Sequence, residues 1–281
     1  MIYPAAITPR RSTGVSIDIA AALELLGFLE SHGVDGITLL GSTGEFLHFD
    51  AEDRARFAAM AVKRCRVPVL VNVSHSTFEG TVELAQQALG SGAAGVLAMP
   101  PYYFRYTQAS VRAWFLELAA QVKGPLYLYN IPQFTTEITL DTALDLLGTG
   151  AFAGIKDSSG HWDNFVAMQQ AGHKIFIGAD TMYARAARAG AYGSISGTAS
   201  VLPELMVAID RAARAGEDTS ALESRLAEFS KRAGRFAFPL AHREGARVRG
   251  LKPGPHATPL GPEESRGLEE FGVWLRQGLG S

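Results

Sequence analysis

A closed (β/α)8 TIM barrel with a C-terminal helical extension is the α/β fold predicted for this chain, on three observations. Short β-prone apolar runs recur eight times at intervals of about 25–30 residues, the scale of one strand–helix unit. The runs are apolar almost throughout and do not alternate with polar residues. Parallel strands buried on both faces have that texture. Between them lie longer segments whose apolar residues keep helical spacing. A length of 281 residues suits one such barrel.

The strand runs are Tyr3–Thr8, Gly36–Leu40, Val67–Val73, Gly95–Met99, Pro125–Tyr129, Phe152–Lys156, Lys174–Gly178 and Gly193–Ser196. An open doubly wound sheet would more often carry five or six strands and a phosphate loop after the first. The segment Thr8–Gly14 holds no GxGxxG. Helical spacing shows in Ile19, Leu23 and Leu26, in Phe57, Met60 and Arg64, in Val82, Ala85 and Leu89, in Val111, Phe115 and Leu118, and in Leu140, Leu144 and Leu147. Beyond about residue 202 strand texture stops, and Pro203–Ala215, Thr219–Gly234 and Pro262–Leu279 read as helices. The first closes the barrel, which divides the chain into a barrel at 1–215 and a helical region at 216–281. The basic run His242–Lys252 has no interleaved aromatics and is expected to be a solvated segment near the last linker.

Composition narrows the function classes. Hydrophobic residues make up 47% and charged residues 19%, enough for a large core and too apolar for a disordered chain. A net charge of −2 gives no reason to expect nucleic acid or a membrane surface as partner. Cys65 stands alone, so no intrachain disulfide forms. The opening MIYPAAITPR lacks a basic start followed by a long apolar run. A reducing, cytoplasmic setting is therefore expected. The seven histidines show no HxxxH pairing, so no metal is expected.

Barrel active sites sit at the C-terminal ends of the strands. The second run ends in Gly41-Ser42-Thr43-Gly44-Glu45, where small residues let backbone amides and two hydroxyls face a carboxylate. An ordinary strand-to-helix turn would read the same way. Tyr129 closes the fifth run, as a proton relay or as a packed aromatic. Lys156 closes the sixth, where an ammonium is costly to bury alone. Dehydration favours a neutral amine able to attack a carbonyl, whereas a surface-seeking lysine would do nothing of the kind. The loop Met99–Phe104 sets aromatics, Tyr103 among them, at the mouth. Asp180 and Ile195 mark the seventh and eighth strand ends.

GSTGE, YNIP and GIKDSSG, in this order and with Tyr129 and Lys156 on neighbouring strands, resemble the dihydrodipicolinate synthase / N-acetylneuraminate lyase family of Schiff-base aldolases. The PPYY segment, GSISG and the closing helices match too, so the likeness spans essentially the whole chain. It implies that Lys156 forms an imine with a 2-oxo acid such as pyruvate, with no metal or organic cofactor. It implies that Ser42, Thr43 and Gly44 hold the substrate carboxylate and that Tyr129 moves the proton. Ser42 and Tyr103 would extend the relay, Tyr103 across a subunit interface, in a homotetramer built as a dimer of dimers. Ile195 would offer its backbone carbonyl near the pyruvate.

Departures bear on the second substrate, an aldehyde. Where dihydrodipicolinate synthases usually carry an arginine that pairs the aldehyde's carboxylate, this chain has Phe134, which cannot form a bidentate ion pair. Asp180 is followed by Thr181, not by the Glu usual in sialic acid lyases. The expectation is therefore an aldolase or dehydratase for a 2-keto-3-deoxy sugar acid or related hydroxy-2-oxo acid. 4-Hydroxy-tetrahydrodipicolinate synthase is the alternative, and a non-catalytic barrel binding a 2-oxo acid is the alternative of another class. A metal-dependent aldolase on the same fold is disfavoured by the missing His/carboxylate spacing.

Overall fold

The computed structural model describes residues 1–12 and 16–279. Thr13 and Gly14 of the first expected turn, and the last two residues of the expected helical region, lie outside the described residues.

Eight strands form one parallel sheet: β1 (Ile2–Pro4), β2 (Ile37–Leu39), β3 (Val69–Asn72), β4 (Gly95–Ala98), β5 (Leu126–Asn130), β6 (Gly154–Asp157), β7 (Ile175–Ile177) and β8 (Gly193–Ser196). Every strand residue is buried, as the unbroken apolar runs require. Neighbours run in the order β1-β8-β7-β6-β5-β4-β3-β2. The ring closes where Ala5 bridges Thr38, and the Ala6 amide donates to the Thr38 carbonyl at 2.9 Å. The fold is the expected (β/α)8 barrel.

The helices between strands are α1 (Ile19–Ser31), α2 (Ala51–Arg64), α3 (Phe78–Gly90), α4 (Gln108–Gln121), α5 (Leu140–Gly148), α6 (Trp162–Gln170) and α7 (Tyr183–Arg188). Three begin alike. The side chains of Asp18, Thr77 and Thr107 accept hydrogen bonds from backbone amides three residues on, satisfying donors that the first turn leaves free. Then come α8 (Pro203–Ala215), α9 (Ser220–Ala233), α10 (Leu240–Val248) and α11 (Pro262–Leu279). Gly216 ends α8 in the left-handed conformation, which spares a Cβ its steric penalty. One continuous apolar core runs from the strands to Phe229 of α9, Ala241 and Ala246 of α10, and Phe271 and Leu275 of α11. Among the described residues no helix is long and apolar enough to cross a membrane.

Two expectations are corrected. The first strand stops at Pro4, not Thr8, because the following residues turn across the barrel mouth, where the Thr8 carbonyl accepts from Arg243 at 3.3 Å. The segment His242–Lys252 is not solvated: most of it lies in α10, and its first two residues, His242 and Arg243, are buried. A guanidinium tolerates burial only when its charge is met, and the Glu45 carboxylate meets it.

Candidate active site

Lys156 and Tyr129 are register partners on β6 and β5, so both side chains leave the sheet on the same face. The lysine is 5% exposed and the tyrosine 2%. Lys156 Nζ stands 4.0 Å from the centroid of the Tyr129 ring, within cation–π range. The end of β7 leaves room for the lysine stem: a Cβ on Gly178 would lie 3.1 Å from Lys156 Cε and 2.0 Å from Ser158 Oγ. The Tyr129 hydroxyl is 3.2 Å from Ser42 Oγ, which links β5 to the loop after β2. Tyr129 thus links Lys156 to Ser42, its ring facing the amine and its hydroxyl reaching the serine.

That loop is held under backbone strain. Leu40 and Glu45 both take positive φ, 57° and 51°, a conformation costing L residues about 1–3 kcal/mol each. Each end is tied. Asn72 Nδ2 donates to the Leu40 carbonyl at 2.7 Å. Arg243 Nη1 donates to Glu45 Oε2 at 2.6 Å. The same guanidinium donates from Nη2 to the Pro253 and Pro255 carbonyls, at 2.5 and 2.8 Å. Burial lowers the Arg243 pKa from its ordinary value, and the Glu45 carboxylate pulls it back. One buried arginine therefore staples the loop after β2, the chain beyond β1 and the segment before α11.

Gly44 sits at the tightest point. A Cβ there would stand 2.9 Å from the Ala6 carbonyl oxygen and from Thr8 Oγ1. Gly44→Ala is expected to destabilise the fold by about 1–3 kcal/mol through overpacking, seen as a lower denaturation midpoint. An unchanged midpoint would show that the loop shifts freely.

Asp157, next to Lys156, points the other way along the strand and does structural work. It accepts from Asn130 Nδ2 at 2.9 Å, from the Ser159 amide at 3.1 Å and from Ser159 Oγ at 2.8 Å. Burial raises its pKa, and these bonds oppose the shift. Asn130 Oδ1 in turn accepts from the Ile138 amide at 2.9 Å, pinning the segment that carries Phe134.

A cavity of about 510 Å³ opens over the strand ends, lined by Lys156, Tyr129, Thr43, Asp180, Ile195 and Phe134, and roofed by α9 and α10. Asp180 Oδ2 accepts from the Thr198 amide at 3.0 Å, while Oδ1 is closed off without a partner. Burial raises the Asp180 pKa, and the nearby Thr198, Ser196 and Lys156 pull it down. Phe134 is 43% exposed and faces Phe238 at a centroid distance of 6.1 Å. Tyr103 does not join the cluster within one chain. It is 90% exposed at a φ of 80°, its ring against Phe104, and it borders a second, more apolar cavity with Ser42 and Phe134. The sequence reading missed Arg243, His242 and Gly178. The one available signal was Glu45, an acid in a tight motif that would need a cation if buried.

The fold and site define a class of protein: a parallel (β/α)8 barrel with a buried lysine and a facing tyrosine at the C-terminal mouth. Residues 1–277 match the Dihydrodipicolinate synthetase family, and the chain belongs to it. It is 34% identical over 212 residues to a probable 2-dehydro-3-deoxy-D-pentonate aldolase of Escherichia coli, covering 72% of this chain and 70% of the relative. It is 33% identical over 219 residues to a 4-hydroxy-tetrahydrodipicolinate synthase of Aromatoleum aromaticum, covering 76% and 75%. Among solved structures, an Escherichia coli K12 prophage protein of the dihydrodipicolinic acid synthase family, in complex with pyruvate, superposes with a TM-score of 0.90 at 25% identity, over 98% of this chain and 97% of that one.

Proposed function

We propose that this chain is a Schiff-base aldolase that cleaves or forms a 2-keto-3-deoxy sugar acid or a related hydroxy-2-oxo acid. The observation that carries the reading is the buried Lys156 amine above the Tyr129 ring, with the phenol bonded to Ser42. In cleavage, the amine adds to the C2 ketone and water leaves, giving a protonated imine. Tyr129, having given its own proton to the departing water, takes the C4 hydroxyl proton as a phenolate, the C3–C4 bond breaks, and its electron pair passes into the imine to give an enamine. The aldehyde departs. C3 is then protonated, and water releases pyruvate and the free amine.

Ser42 and Thr43 hold the substrate carboxylate through amides and hydroxyls, and Asp180 lies on the cavity wall that the rest of the substrate passes. Ile195 presents its carbonyl at the pyruvate end. Phe134 supports this substrate class over the 4-hydroxy-tetrahydrodipicolinate synthase reaction, because its phenyl ring cannot pair with a second carboxylate. The exposed Tyr103 fits a homotetramer in which it completes the relay of a neighbouring subunit.

Incubation with pyruvate followed by borohydride tests the reading. One reduced pyruvate adduct on the peptide containing Lys156 is expected, and no mass gain would sink it. Imine formed without turnover of any aldehyde or sugar acid would instead favour a binding-only barrel. Tyr129→Phe is expected to keep the adduct while lowering kcat about 100- to 10,000-fold. A smaller loss in single-turnover assays would move the proton transfer elsewhere.

A further inference from the structure

α10 brings to the mouth a second side chain that the proposed reaction leaves unused. His242 is 8% exposed, and its ring meets Phe229 and Phe238 edge-on at centroid distances of 5.9 and 5.2 Å. It lines the same cavity as Lys156 and Thr43. A Cβ on Gly197 would lie 3.2 Å from His242 Nε2 and 3.4 Å from Thr43 Oγ1. The missing side chain at Gly197 therefore leaves the imidazole open toward the loop after β2.

Neither ring nitrogen has a hydrogen-bond partner among the described residues, and Nδ1 is closed off from solvent as well. Buried polar atoms in folded proteins are nearly always paired. An unpaired, buried imidazole on a cavity wall faces a ligand with its hydrogen-bonding capacity unspent. Burial lowers the ring's pKa to about 4, so it is neutral at pH 7. A neutral imidazole offers one donor and one acceptor. A hydroxyl answers Nε2 in either tautomer, giving to it or receiving from it as the ring requires. A carboxylate or phosphate could use only the N–H, and Lys156 is the one cationic side chain among the described residues lining the cavity. The proposed imine already engages it.

We propose that His242 is a specificity-determining residue that hydrogen-bonds a hydroxyl on the aldehyde half of the substrate. This rests on the aldolase reading and deepens it: the acceptor aldehyde is a neutral hydroxyaldehyde, and distal anions are refused.

The test couples pyruvate to D-glyceraldehyde and to propanal, and compares kcat/KM for the two. The wild-type protein is expected to favour glyceraldehyde. His242→Phe is expected to lower the glyceraldehyde-to-propanal ratio by about tenfold or more, through KM for glyceraldehyde, because a site built for a hydroxyl rejects its absence. His242→Asn keeps a donor and an acceptor and is expected to retain part of the preference. Borohydride trapping of pyruvate shows in each variant that the amine site is assembled. An unchanged ratio in His242→Phe overturns the assignment, and so does a wild-type protein that traps pyruvate but shows no preference. Failure to trap pyruvate in the wild type would instead sink the aldolase reading.

Discussion

Lys156→Ala is expected to lower turnover by about ten-thousand-fold or more, since the covalent step disappears with the amine. Lys156→Arg is expected to fare no better. A guanidinium stays protonated and cannot add to a ketone, so keeping the charge does not keep the chemistry. Lys156→Ala should stay folded. Among the described residues the lysine side chain touches the face of Tyr129 and makes no hydrogen bond, so truncation breaks none. Single-turnover kinetics beside a denaturation curve checks both halves. Retention of a tenth or more of wild-type turnover in Lys156→Ala would remove the imine from the mechanism.

The second large effect concerns stability. Arg243→Met keeps most of the side-chain volume but leaves Glu45 charged, buried and without its guanidinium, and strips a donor from the Thr8, Pro253 and Pro255 carbonyls. Breaking one partner of a buried pair costs about 3–5 kcal/mol, and that loss is expected in urea denaturation. The loop after β2 should loosen with it, so pyruvate trapping should weaken even where the variant is folded. Adding Glu45→Gln should recover part of the loss, because the uncompensated charge is then gone. A loss under about 1 kcal/mol in the single variant would show the staple to be idle.

The barrel was legible because its physics is local. Parallel strands shielded on both faces must be apolar residue after residue, and eight such runs at one spacing leave few architectures. Tyr129 and Lys156 were legible for a related reason: each interrupts an apolar run at its last positions, where a barrel opens to substrate. What joins them was less so. Gly178 serves Lys156 from the end of the neighbouring strand, and nothing in the residues beside it announces that. α10 was illegible because its buried face sets His242 and Arg243 among small residues, with Leu240 the one large apolar side chain. His242 and Arg243 look solvated until Glu45, almost two hundred residues earlier, is folded against the guanidinium. Local periodicity cannot report a pairing of that range. Tyr103 shows the converse, an aromatic at the expected mouth that one chain leaves in solvent.

Adjacent residues of α10 face different tasks, one gripping the frame and the other turned to the guest. A graft that exchanges this helix between relatives would carry grip and taste as one cassette. Recipients that offer an acid at the position of Glu45 should accept such a transplant, and with it a new appetite, without any change to the reacting lysine.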